Sequence, residues 1–103
     1  MDKRLIITIP HYNNFNGLVK TIQSINESFD IDIVITDDGS PEKLDETLII
    51  SSYKNNGNIF FQYLDGNYGV GIAANKCIEF VKKGTYKYMA RLDAGDICHK
   101  DKF

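Results

Sequence analysis

Cysteine is scarce in this 103-residue chain, with only Cys77 and Cys98 present. Their contexts read as a buried helix face and a loop after a strand, and their spacing does not resemble a metal knuckle. Reduced thiols in a cytoplasmic protein are therefore expected, and a disulfide framework is not. An excess of positive charge is also lacking: 12 basic against 14 acidic residues leave a formal charge of -2. That balance gives no electrostatic reason to expect binding to nucleic acid or an anionic membrane surface, and any phosphate ligand must be held by local groups. Long apolar runs are missing too. Leu5 to Ile9 and Ile31 to Ile35 are strand-sized, far short of the ~20 residues a transmembrane segment needs. Met1 to Arg4 leads into a strand pattern with no cleavage site, so a signal peptide is not expected. No repeat, linker or low-complexity tract interrupts the chain.

What is present is ordinary globular usage, 43% hydrophobic and 25% charged, enough for one core in one domain. Leu5 to Ile9 predicts a strand ended by Pro10, which cannot donate to a sheet ladder. Asn13, Asn14 and Asn16 supply capping groups for a helix whose inner face is Leu18, Ile22, Ile25 and Phe29. Ile31 to Thr36 predicts a second strand. Ser40 and Pro41, an N-cap followed by proline, start a second helix to about Ser52 with Leu44 and Leu48 inward. A turn at 55–58 precedes a third strand, Ile59 to Leu64. A third helix carries Val70, Ala74, Cys77, Ile78 and Val81 on one face and stops at Gly84. Tyr86 to Leu92 is the fourth strand. Strands alternating with helices over short loops predict an α/β, Rossmann-like three-layer α/β/α fold with a mostly parallel sheet.

In such a sheet, ligands bind beyond the carboxyl ends of the strands. The residues expected there are His11, Tyr12 and Asn13 after the first strand, Asp37 and Asp38 after the second, and Asp93 and Asp96 after the fourth. Carboxylates after two different strands suit one group that binds a cation and another that accepts a hydrogen bond from a ligand. Asp37 and Asp38 must point to opposite faces while the strand stays regular, so only one of them can enter a given pocket and the other is left to hold a loop or helix start. Gly39 is expected where backbone passes close to a ligand with no room for a side chain. A plain glycine turn would have the same sequence.

Pro10-His11-Tyr12-Asn13 resembles the Pro-x-Tyr-Asn segment of family-2 glycosyltransferases, whose fold is GT-A. Thr36-Asp37-Asp38-Gly39-Ser40 is similar to their Asp-Asp-Gly-Ser segment. Asn67-Tyr68-Gly69 with the helix carrying Asn75 resembles their Asn-x-Gly loop, and Arg91-Leu92-Asp93-Ala94-Gly95-Asp96 their Asp-x-Asp region. Four motifs in the right order span the chain. The resemblance implies a single N-terminal domain over residues 1–103 that binds a nucleoside diphosphate sugar, with UDP-sugar as the default and dTDP open. The implied binding residues are Pro10, His11, Tyr12, Asn13, Asp38, Gly39, Asn67, Gly69, Asn75, Arg91, Leu92 and Asp93. Asp38 is assigned to the N3–H of uracil, a bond that cytosine cannot make. The family's divalent ion, Mn²⁺ or Mg²⁺, falls to Asp93 and Asp96. The usual second aspartate is replaced by Gly95, so either Asp96 takes over or the diphosphate supplies most ligands.

The implied reaction is an inverting transfer of the sugar to a carbohydrate acceptor hydroxyl in polysaccharide or glycan synthesis. It takes place in the cytoplasm, at the inner face of the membrane in the full-length protein. The family's catalytic base lies in the C-terminal half, so no catalytic residue is expected here, and the chain is expected to bind donor without turnover. The fourth strand is expected to expose an apolar surface through which the chain self-associates. The competing readings are a non-catalytic nucleotide-binding module of the same fold and another doubly wound enzyme. A dinucleotide fold is opposed by the first βα turn, Pro10 to Gly17, which has no Gly-x-Gly-x-x-Gly. A phosphate-receiving regulator is opposed by the presence of only four strands.

Overall fold

The computed structural model describes residues 5–99 and Phe103. The expectation about a leader at Met1 to Arg4 lies outside the described residues. Within them the elements alternate as β1 (Leu5–His11), α1 (Phe15–Ser24), β2 (Ile31–Asp37), α2 (Glu46–Ser52), β3 (Ile59–Tyr63), α3 (Val70–Lys82) and β4 (Tyr88–Arg91).

All strand pairs are parallel, in the order β3-β2-β1-β4. The chain builds outward from β1 through β2 to β3, then α3 carries it back to add β4 on the other side of β1. Strand periodicity divides the core. Ile7, Ile9, Ile33 and Ile35 pack with Leu18 and Ile22 of α1 and Ile49 of α2. The alternate residues Ile6 and Val34 pack with Cys77 of α3. The sheet is thus covered by α1 and α2 on one face and by α3 on the other, the expected α/β/α arrangement. Each of these fully buried isoleucines contributes roughly 1.5–3 kcal/mol of transfer free energy. Cys77 and Cys98 are both free and buried.

The strands run longer at the functional end than expected. Pro10 does not end β1, which continues to His11 in register with Asp37. The alternation explains this. His11 O accepts from Asp38 N on the β2 side, while Thr8 O accepts from Leu92 N on the β4 side. Pro10 shares Thr8's direction, but pairing with β4 stops at Thr8↔Arg91. Its missing N–H therefore costs no ladder bond.

The second helix starts later than Ser40. Ser40 spends its hydroxyl and amide on Asp37, and Asp45 caps α2 instead by accepting from Leu48 N. The shift turns Leu48 outward, 44% exposed, and buries Ile49. α1 ends at Ser24, so Phe29 lies beyond it and is 40% exposed. β4 begins at Tyr88 and not at Tyr86, whose hydroxyl donates to Asp32 at the start of β2. On α3 the buried positions are Ala73 and Cys77, and Val70 faces out.

No helix among the described residues is long and apolar enough to cross a membrane.

Candidate functional site

The carboxyl ends of the strands bring four loops together. Asp37 and Asp38 diverge as strand alternation requires, and each ties down a different loop. Asp37, 3% exposed, accepts at Oδ1 from the His11 ring at 2.8 Å and from the Ser40 hydroxyl at 2.6 Å. Its Oδ2 accepts from the Ser40 amide at 3.0 Å. Asp38 turns toward the β3–α3 loop, accepting from Tyr68 N at 2.8 Å and Gly69 N at 2.9 Å, one on each oxygen. A carboxylate has about four lone-pair sites, so both oxygens of Asp38 retain capacity for a ligand.

Asp38 lines a small cleft of about 60 Å³ with Pro10, His11, Tyr12, Val70 and Ala73. Tyr12 stands at its rim, 46% exposed. Gly39 has its φ at +72°, and an added Cβ would fall 2.5 Å from the Gly66 carbonyl carbon. The backbone that crowds Gly39 is thus the β3–α3 loop. Gly69, at φ +104°, opens α3 in a conformation that aims its amide at Asp38.

A larger cleft of about 210 Å³ opens between the β1–α1 and β2–α2 loops, lined by His11, Asn13, Phe15 and residues 40 and 42–45.

After β4, the chain is anchored to α1. Asn14 caps α1 by accepting from Gly17 N, and its side-chain amide donates to Ala94 O at 3.4 Å. Gly95 N donates to Gly17 O and to the Thr21 hydroxyl. Asp93 projects outward, with Arg91 Nε and Nη2 each 3.2 Å from its Oδ1. Asp96 turns back, its carboxylate accepting from Asp93 N at 2.8 Å. Among the described residues no group of three or more His, Cys, Asp or Glu side chains is placed to hold a metal ion.

The expected binding residues therefore divide. Pro10, Tyr12 and Asp38 meet at the small cleft, with His11 beneath them. Asn13 donates its amide to the Ser40 hydroxyl, and Gly39, exposed Asn67 and Gly69 shape the adjoining loops. Arg91 and Asp93 pair on the exposed end of β4. Leu92 is 4% exposed and packs into the core on the α1 and α2 face. Asn75 is exposed on α3, apart from the residues that line the small cleft. His99 is exposed.

Sequence reasoning missed Val70 and Ala73 as cleft walls and Ser40 as a link between loops. The available signal was topological, because the start of α3 must lie at the same sheet edge as the end of β2.

Comparison with known proteins adds relatives to this geometry. The chain is 32% identical over 91 residues to the bifunctional glycosyltransferase pgtA of Dictyostelium discoideum, covering 86% of this chain and 12% of that protein. It is 32% identical over 103 residues to an uncharacterized glycosyltransferase of Rickettsia conorii, covering 98% of this chain and 16% of the relative. The chain thus spans a small part of these relatives. Among solved structures it superimposes on S. aureus TarS with a TM-score of 0.72 at 16% identity, covering 93% of this chain and 17% of that one. A structure of TarS residues 1–349 gives 0.62 at 21% identity, covering 93% of this chain and 28% of that one. These two share the fold. The family model for glycosyl transferase family 2 matches residues 6–103, and the chain belongs to that family.

Proposed function

We propose that this chain forms the donor site of an inverting glycosyltransferase that moves a sugar from a nucleoside diphosphate, with UDP-sugar as the preferred donor, to a carbohydrate acceptor hydroxyl. Synthesis of a polysaccharide or glycan, in the cytoplasm, belongs to the same proposal. The observation that carries it is the meeting of Asp38, Pro10 and Tyr12 at one small cleft on the edge of the sheet where Asp93 also projects. Asp38 is suited to accept the N3–H of uracil or thymine through a lone pair its two loop amides leave free. Tyr12 offers an aromatic face to the base.

Asp93 is the residue suited to hold a Mg²⁺ or Mn²⁺ ion, with diphosphate oxygens and water completing the shell. Such hard ions accept few protein ligands. When bound, the ion neutralises the departing diphosphate. Asp96, engaged with the Asp93 amide, supports that turn and offers its other oxygen as a second ligand. With Asp93 holding such an ion, Arg91 would be free to face phosphate.

The site is tested by calorimetric titration with UDP, dTDP and GDP, each with and without Mn²⁺. Saturable, Mn²⁺-enhanced binding of UDP or dTDP supports the reading, and no binding in any condition removes it. We also propose self-association along β4, where Tyr88 and Met89 are 64% and 47% exposed on an edge strand. A concentration-independent monomer in analytical ultracentrifugation overturns that part.

A further inference from the structure

His11 lies beneath the donor cleft, 3% exposed, and both of its ring nitrogens are engaged inside the protein. Nε2 is 3.0 Å from the backbone N of Asn14. A backbone amide only donates, so Nε2 must carry the lone pair. Nδ1 faces Asp37 at 2.8 Å and must therefore carry the proton, which fixes one tautomer.

The circuit continues through Asp37. Its carboxylate accepts from the hydroxyl and amide of Ser40, and the Ser40 hydroxyl in turn accepts from Asn13 N at 2.8 Å. Two consecutive amides of the β1–α1 loop, those of Asn13 and Asn14, are thus tied to the end of β2 through buried or half-buried side chains. Asn13 is held at φ +47°, a left-handed conformation with a cost of its own. Tyr12 lies between His11 and Asn13, so the circuit brackets its backbone on both sides.

We propose that His11, as its Nδ1–H tautomer, and Asp37 are positioning residues. They set the β1–α1 loop, and through it Tyr12, against the donor base, while their polar atoms touch neither base nor phosphate. The inference rests on the donor-site reading above, but it can fail separately. Neutral hydrogen bonds alone place a loop loosely; the charge-assisted bonds of Asp37 and the burial of the pair hold it more firmly.

The first test is the imidazole ¹⁵N spectrum of the chain. A protonated-type Nδ1 and an unprotonated-type Nε2 for His11, unchanged by UDP, are expected; the reverse tautomer, or a ring shifted by direct ligand contact, overturns the proposal. The second test is His11→Asn, whose amide keeps a donor near Asp37 but places nothing at Nε2. Loss of exchange protection at the Asn14 amide and a roughly tenfold weaker UDP affinity are expected. An unchanged Asn14 amide overturns the proposal. Ser40→Ala, in a half-buried loop, provides the same affinity test if His11→Asn does not fold: weakened UDP binding supports the circuit, and wild-type affinity refutes it. Should the wild type bind no UDP, the donor reading fails, while the Asn14 amide still decides whether His11 sets the loop.

Discussion

Arg91 pairs with Asp93: two of its guanidinium nitrogens lie 3.2 Å from the same carboxylate oxygen. Both side chains are about half exposed, at 47% and 61%. Such a pair contributes little stability and breaks easily, which suits the proposed exchange of Arg91 for a metal ion.

Asp93→Ala is accordingly expected to change unfolding free energy by less than about 1 kcal/mol, as measured by urea denaturation. The same variant is expected to abolish the Mn²⁺-dependent part of UDP affinity and leave the metal-free part nearly intact. Retained Mn²⁺ enhancement would move the ion to other ligands.

The close approach of the β2–α2 and β3–α3 loops makes a second prediction. Gly39→Ala places a Cβ 2.5 Å from backbone carbon at a φ of +72°, and should destabilise by about 2 kcal/mol or more. Gly71→Ala, in the first turn of α3 with nothing within 4 Å, should stabilise by up to about 1 kcal/mol. Thermal melts of the two variants that shift in the same direction would contradict this.

α2 separates two neighbouring residues that sequence periodicity confuses. Ile49→Ala, at 0% exposure, should cost about 2–5 kcal/mol. Leu48→Ala, at 44% exposure, should cost about 0.5 kcal/mol or less. Comparable losses from the two would return the helix to its expected phase.

The contrast shows what was legible. The β-branched runs of β1 and β2 announce buried parallel strands, and the order of elements fixes the layers. The start of α2 was not legible, because whether Ser40 caps a helix depends on its capture by Asp37, and the wrong start rotated Leu48 inward. Asp38 was legible from its place at a strand end. Val70 and Ala73 were not, since helical periodicity assigns apolar residues to a core and cannot distinguish a cleft wall from it. The pairing of His11 with Asp37, 26 residues away, was not legible in its motif.

Alkaline pH should unfold the protein through its tyrosines. Burial and a carboxylate partner, Asp32, raise the Tyr86 phenol above its usual range, and burial alone does most of this for Tyr53. A raised folded value means that ionisation is disfavoured in the native state. The stabilisation is therefore complete below the unfolded value of about 10 and is lost as pH rises beyond it. Unfolding followed by circular dichroism between neutral pH and pH ~12 should show falling stability above about 10, with a shallower slope in Tyr86→Phe. An identical slope in the variant would assign the effect elsewhere.

The most direct test of the donor site is calorimetry of UDP with Mn²⁺ on the wild type, Asp38→Asn and Asp38→Ala. The Asn14 and Ser40 amides should be followed by NMR to confirm that the β1–α1 and β2–α2 loops are intact. The account predicts saturable binding by the wild type and at least a tenfold loss in both variants, the charge-assisted bond to N3–H being worth about 1.5–3 kcal/mol. Wild-type affinity in a folded Asp38→Ala would contradict it.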